Sequence, residues 1–359
     1  MTATKPDDRA RLKAAERFAA AILPRVSRTF AISIRWLPGH LGRAVLGAYL
    51  LCRIADTIED DGTTDVARKA ALLDRLLTCF DDAEAADAYD GLVADIAGEP
   101  AHIDLLRHTS RVFVLFRSLP SASQGHVRRW VSEMVVGMKK FVQRYPRGIR
   151  IETLAEYKEY CYYVAGTVGH LLTDLWHEHR PLTIGMARYE ALMAKCSQFG
   201  EALQTVNILK DIAWDAEHEI AIYIPGQALR AQGSSHEQLL SVAHQGANHA
   251  VIADFIALAS RDLDEALEYT LTIPRRAMAI RVFCILPLLF AHATLRDLMA
   301  SRAMLRSGGQ VKISRAEVQA LLLMGPLLIC SNAGLRWLVT KVQAKPFTFG
   351  AVVPATQPA

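Results

Sequence analysis

The 359-residue sequence has no long Lys/Arg run and no basic stretch interleaved with aromatics, so the electrostatic footprint of a nucleic-acid binder is missing. Its formal net charge is only +4. That is compatible with an anionic substrate or an anionic membrane surface and demands neither. The six cysteines (Cys52, Cys79, Cys161, Cys196, Cys284 and Cys330) contain no CxxC pair. Most stand in apolar helical contexts, which reads as reduced core thiols in a cytoplasmic setting. The first eleven residues are polar and charged, so no signal peptide is expected. No stretch of length alternates apolar and polar residues, and no GxGxxG follows a strand. A β-sheet domain and a Rossmann domain are therefore not expected. Repeats and low-complexity segments are absent as well.

What is present is helical. Hydrophobic residues make up 51% and charged residues 22%, enough for a sizeable core. Apolar periodicity and breakers predict helices over 8–23 (ended by Pro24), 41–61 (with Gly62 as C-cap), 65–80 (capped by Asp65), 103–119, 125–144, 151–176, 186–215, 236–267, 274–300 and 314–338. The stretch 81–100, rich in Ala and Asp, reads as peripheral. The fold class is all-α. The domain reading is a polar N-terminal segment and helix at 1–24, a catalytic domain at 25–344, and a disordered tail at 345–359.

Two acidic stretches organise this chain. Asp56-Thr57-Ile58-Glu59-Asp60 follows a nearly continuous apolar run, and Asp211-Ile212-Ala213-Trp214-Asp215 follows another. Each places two aspartates at i and i+4, on one helix face one turn apart. A single such pair is most often a solvated face. Here the flanks are apolar almost all round, which marks a buried helix, and buried carboxylates need a metal or a cation. Mg²⁺ takes one or two carboxylates plus substrate phosphates. Two such pairs on facing helices would hold a Mg²⁺–diphosphate cluster over an apolar cavity.

With these motifs, Ser27-Arg28-Thr29-Phe30, residues 49–61, Tyr160 to Gly166 (YCYYVAG), residues 204–215 and Val311-Lys312-Ile313 together resemble the squalene/phytoene synthase family, most of all its squalene synthase branch. The resemblance runs in order over about residues 26–315. It implies a single-domain helical bundle of the class I isoprenoid synthase type around a central apolar cavity. It also implies head-to-head (1′–1) condensation of two farnesyl diphosphates through presqualene diphosphate to squalene, with Mg²⁺ and NADPH. The metal ligands would be Asp56, Glu59, Asp60, Asp211 and Asp215. Arg28 and Arg53 would clamp diphosphate, since guanidinium matches phosphate oxygens bidentately. Tyr163 resembles the tyrosine that takes a proton as the cyclopropane closes, and Tyr49 the one beside the first aspartates. Ser27, Phe30, Gln204, Asn207 and Lys210 fall at substrate-binding positions, and Lys312 and Arg315 where NADPH phosphates would lie. Phe30, Tyr49, Tyr163 and Phe199 are the aromatic faces available to a carbocation. The chain departs from the family at Trp214, where a glutamate is usual, at Lys210, where an arginine is usual, and over 217–222, where a basic residue is missing. Less positive charge near the second diphosphate leaves open a non-reductive product (dehydrosqualene or phytoene) or arrest at presqualene diphosphate.

A catalytically silent helical partner is the alternative from another class, and two intact aspartate pairs disfavour it. The apolar stretch 319–339 is interrupted by Pro326, Ser331, Asn332 and Arg336, so a core or surface-docked helix is favoured over a membrane span. Peripheral attachment at the inner face of a membrane is compatible with an insoluble product, and a monomer is expected. His177-Glu178-His179 has i, i+2 spacing, which does not converge on one face and reads as a solvated helix end.

Overall fold

The computed structural model describes residues 6–349, and among them every regular element is helical. The only extended pairing there is an isolated bridge between Arg150 and Ile222. Helix α1 (Pro6–Val26) is followed by the short α2 (Arg28–Ile34), which Ser27 caps. Next come α3 (Gly39–Asp60), α4 (Val66–Thr78), α5 (Ala83–Leu92), α6 (Pro100–Leu106), α7 (Thr109–Arg117) and α8 (Ser121–Arg144). A third section holds α9 (Leu154–Cys161), a π-helical turn (Tyr162–Gly166), α10 (Thr167–His179), α11 (Met186–Met193) and α12 (Cys196–Trp214). A second π turn (Asp215–Glu219) leads to α13 (Gly226–Ala231), α14 (Gln245–Thr272), α15 (Met278–Ala300), α16 (Arg315–Leu327) and α17 (Asn332–Ala344).

The two acid-bearing helices are each wrapped by others. α3 buries Leu41, Ala44, Val45, Ala48, Leu51, Ile54 and Ile58 and packs against α6, α7 and α8. α12 buries Phe199, Ala202, Val206, Leu209 and Ile212 and packs against α10, α14 and α15. Each acid helix thus has its own supports.

Several expectations change. Pro24 does not end α1, which runs two residues further; near a helix end proline removes only one hydrogen bond. Gly62 is not the cap of α3. The helix closes at Asp61 in an extended conformation, its carboxylate accepting from the Thr63 N–H at 2.8 Å and from the Thr63 and Thr64 hydroxyls. The 81–100 region is not peripheral. α5 buries Ala85, Ala86 and Tyr89, and the Tyr89 hydroxyl donates to the Leu72 carbonyl at 3.0 Å. The helix expected over 151–176 is interrupted by a π turn, and that over 186–215 divides at Ala194 and Lys195. The apolar 319–339 stretch is two helices joined by a turn, as its proline and polar residues dictate. The helix that is long and apolar enough to cross a membrane is α15, and 83% of its most apolar window is buried in the bundle. Phe347, in the segment read as a tail, donates its N–H to Glu317 at 2.9 Å; residues 350–359 lie outside the described residues.

Candidate active site

α2 and α3 assemble the first half of the site. The Ser27 hydroxyl accepts from the Phe30 N–H at 3.2 Å, which fixes the start of α2 and sets the Phe30 ring 5.5 Å from that of Tyr49. Tyr49, Arg53, Asp56 and Asp60 then descend α3 at helical spacing on one stripe. Arg53 donates from Nη1 to Asp56 Oδ2 at 3.1 Å, while its buried Nε has no hydrogen-bond partner. These side chains lie deep in the protein, yet Arg53 and Asp56 keep 30% and 28% of their surface free. Free surface at that depth means they border an internal opening. Burial pushes the Tyr49 hydroxyl up and raises Asp56 against the pull of Arg53. Arg53 stays charged because Asp56, Tyr49 and Asp60 together outweigh its desolvation.

The C-terminal ends of α3 and α12 form one electrostatic unit. Glu59 and Asp60 are held well above the ordinary carboxylate range, first by burial. Glu59 is then raised by Asp60 and Asp56, and Asp60 by Glu219 and Asp56. Asp215 is pushed up to about 9 by burial, then by Glu219, Asp211 and Asp60. Mutual influence of this kind requires the two motifs to face each other at short range. Glu59 is only 6% exposed and its Oε1 finds no hydrogen-bond partner. The compensating cations are few. Besides Arg53 there is Lys210, 3.0 Å from Asp211, and Lys69, whose ammonium donates to the Glu59 carbonyl at 2.7 Å. A cavity of about 290 Å³ opens beside the cluster, lined by Glu59, Asp60, Lys69, Tyr145, Arg147 and Glu219 among others.

Among the described residues no three ligating side chains already converge on one metal-sized point. The donor set nevertheless fits hard divalent cations: all oxygens, desolvated, in excess of the positive charge, with an orphaned carboxylate atom. Such ions would draw further oxygens from a diphosphate ligand.

Of the remaining candidates, Gln204 and Asn207 continue the stripe of Asp211 up α12, Gln204 half-buried and Asn207 exposed. Tyr163 sits in the first π turn with its ring against Gly137 of α8 and the Lys140 ammonium 5.9 Å from its centroid; its neighbours are those of α8. Tyr160 and Tyr223, stacked at 4.8 Å with hydroxyls 3.3 Å apart, lie within the field of Glu59 and Asp60, as Tyr49 does within that of Asp56. Phe199 is buried in the core, its ring 4.9 Å from that of Tyr269 and tilted by 31°. Lys312 and Arg315 are exposed. Their segment is tied to the second motif where the Gly308 N–H donates to Glu217 at 3.3 Å. Arg28 opens α2, and its side chain lies outside the described residues. His177 and Glu178 serve the α10 end, His177 with the Ile184 carbonyl and Glu178 with the Ser123 hydroxyl. Lys69, Tyr160, Tyr223 and Glu219 were not singled out from sequence. Only Glu219 carried a signal there, its i+4 spacing from Asp215.

A helical bundle with two acidic helix ends facing one another is the class I isoprenoid synthase-like fold. Within that class the chain belongs to the squalene/phytoene synthase family, whose model matches residues 23–317. It is 27% identical to squalene synthase 3 of Panax ginseng over 77% of this chain and 62% of that protein. It is 27% identical to the squalene synthase of Schizosaccharomyces pombe over 81% of this chain and 63% of that protein. The chain thus spans somewhat less than two thirds of these curated relatives. In fold it matches TcSQS bound to the ligand BPH1237, with a TM-score of 0.77, 23% identity, and coverage of 92% of this chain and 98% of that one.

Proposed function

We propose that the protein condenses two farnesyl diphosphates head to head to presqualene diphosphate and reduces this to squalene with NADPH. The observation that carries the reading is the shared field of Glu59, Asp60 and Asp215 beside an internal opening bordered by Arg53. Asp56, Glu59, Asp60, Asp211 and Asp215 would hold magnesium, which when bound supplies the positive charge that makes diphosphate a leaving group. Arg53, with its unpaired Nε, orients a diphosphate oxygen, and Arg28 is proposed to do the same. Loss of diphosphate from one substrate leaves an allylic cation. The double bond of the second substrate adds to it, and loss of a proton closes the cyclopropane. Phe30 and Tyr49 offer ring faces to the cation, and water is kept out by the surrounding helices. Tyr163 is the proposed proton acceptor, with Ser27, Gln204, Asn207 and Lys210 positioning substrate. Lys312 and Arg315, exposed cations on a segment tied to Glu217, would meet the phosphates of NADPH, which supplies the hydride of the second step. A monomer at the inner membrane face is the proposed setting, supported by exposed Leu323, Leu327 and Trp337 on α16 and α17.

The test is a product assay with farnesyl diphosphate and Mg²⁺, with and without NADPH, read by mass spectrometry. Squalene appearing only with NADPH is the expected result. Dehydrosqualene or presqualene diphosphate regardless of NADPH would assign a non-reductive synthase. No turnover of farnesyl or geranylgeranyl diphosphate would overturn the reading.

A further inference from the structure

The family's second acidic motif carries a glutamate where this chain has Trp214. That residue cannot substitute chemically, and it does not face the site. The residue is 48% exposed, and its ring stacks on His218 at 3.8 Å and 13°. Directly after it the helix widens into the π turn Asp215–Glu219. Within it Glu219 stands four residues after Asp215, about one turn further along the chain. The turn is held at a cost. Ile220, which ends it, adopts φ 54° and ψ 34°, a left-handed conformation that a β-branched residue takes only under constraint. Two neighbours enforce it. Arg150 donates to the Ile220 carbonyl, and Gly148 (φ +97°) approaches so closely that a Cβ there would lie 2.0 Å from the same oxygen. The chain is then fastened by the Ile222 N–H to the Ile149 carbonyl at 2.8 Å. Glu219 lines the 290 Å³ cavity together with Glu59 and Asp60, and Glu59, 6% exposed, points an unpartnered carboxylate oxygen there.

We propose that Glu219 is a divalent-metal-binding carboxylate of this site, supplying from the π turn the acidic group that position 214 has lost. The inference rests on the metal–diphosphate reading above and adds to it a residue outside the family's motif. It accounts together for the exposed tryptophan and for the strained isoleucine that fixes the chain next to Glu219.

The experiment is Mn²⁺ binding in the presence of inorganic diphosphate, followed by electron paramagnetic resonance on the full chain. Glu219→Gln is nearly isosteric and removes a charge that its neighbours repel, so its metal-free melting temperature is expected to equal or exceed that of the parent. Its Mn²⁺ affinity is expected to fall at least about tenfold. Glu219→Asp, which keeps the charge on a shorter arm, is expected to fall in between. Glu217→Gln, an equal charge change on an exposed side chain of the same turn, is expected to stay within about twofold. Parental affinity in Glu219→Gln, or an equal loss in Glu217→Gln, overturns the proposal and leaves the parent's metal site standing. A parent chain that binds no Mn²⁺ with diphosphate overturns the metal reading itself, and this inference with it.

Discussion

Asp215 keeps its proton up to about 9 because burial, and then Glu219, Asp211 and Asp60, disfavour its charge. An acid whose folded value lies above its ordinary 3.8 stabilises the fold fully at pH below that value. The contribution is lost as pH rises towards about 9. The metal-free protein is therefore expected to lose melting temperature steadily from about pH 4 to pH 9, more steeply than Asp215→Asn, which removes the titrating group. Added Mg²⁺ with inorganic diphosphate should reverse the trend, with its largest stabilisation at the alkaline end, where the carboxylates are free to bind. A scan of melting temperature against pH checks both; a flat metal-free profile would refute the account. Ile220 gives a second test. Asparagine tolerates the left-handed region, so Ile220→Asn is expected to stabilise the fold by about 1 kcal/mol in urea unfolding. The aspartates were legible in the sequence because two carboxylates at i, i+4 within apolar flanks are a buried like-charge pair, and such a pair needs a cation. Glu219 shared the spacing with Asp215, but only the fold brings it to the same cavity as Glu59 and Asp60.

At the scale of elements, the helices were legible and their interruptions were not. Apolar periodicity shows that residues 151–176 are helical, but it cannot show the π turn at Tyr162–Gly166, because one extra residue in a turn leaves composition unchanged. That turn packs on α8, where a Cβ on Gly137 would lie 2.1 Å from the Tyr163 ring. Gly137→Ala is thus expected to cost about 1–3 kcal/mol by overpacking and to displace Tyr163, lowering turnover more than it changes substrate binding. Measured kcat and KM on the folded variant would check this, and an unchanged kcat would argue against a role for Tyr163. A second junction is made by Arg281 of α15, fully buried and facing carbonyls rather than a carboxylate. It donates to the Ile273 carbonyl just beyond α14 at 2.6 Å, to the Ile329 carbonyl at 2.9 Å and to Asn332 Oδ1 at 2.8 Å. Arg281→Met would strand these acceptors and is expected to cost about 3–5 kcal/mol in urea unfolding. Nothing in the sequence marks this arginine, since its partners are main-chain carbonyls and one asparagine amide brought together only by the fold.

For the whole molecule, the buried apolar residues form two clusters. The larger runs from α1 to the segment before α16 and encloses the acid helices. The smaller joins the outer face of α15 to α16 and α17. α15 belongs to both, with Phe283, Cys284 and Leu288 facing the first and Val282, Ile285, Leu286, Leu289 and Phe290 the second. This double role explains why so apolar a helix is a core element here, and why its neighbour at 319–339 is itself so apolar: each covers the other. The C-terminal helices are also held by an ion pair, Arg296 to the buried Glu317 at 2.7 Å, which in turn accepts from the Phe347 N–H. Deleting residues from 315 onward would uncover the five large side chains of α15 and leave Arg296 with Asp297 but without Glu317. At about 2 kcal/mol for each uncovered side chain, the loss is about 10 kcal/mol, the size of a typical domain's net stability. Such a truncation is therefore expected to aggregate on expression rather than yield a smaller folded core, although both aspartate motifs remain in it. The measurement is the soluble yield and melting transition of chains ending at 314 and at 349. If the shorter chain melts cooperatively and still binds Mn²⁺ with diphosphate, α16 and α17 are a separable appendage and the two-cluster account of α15 is wrong.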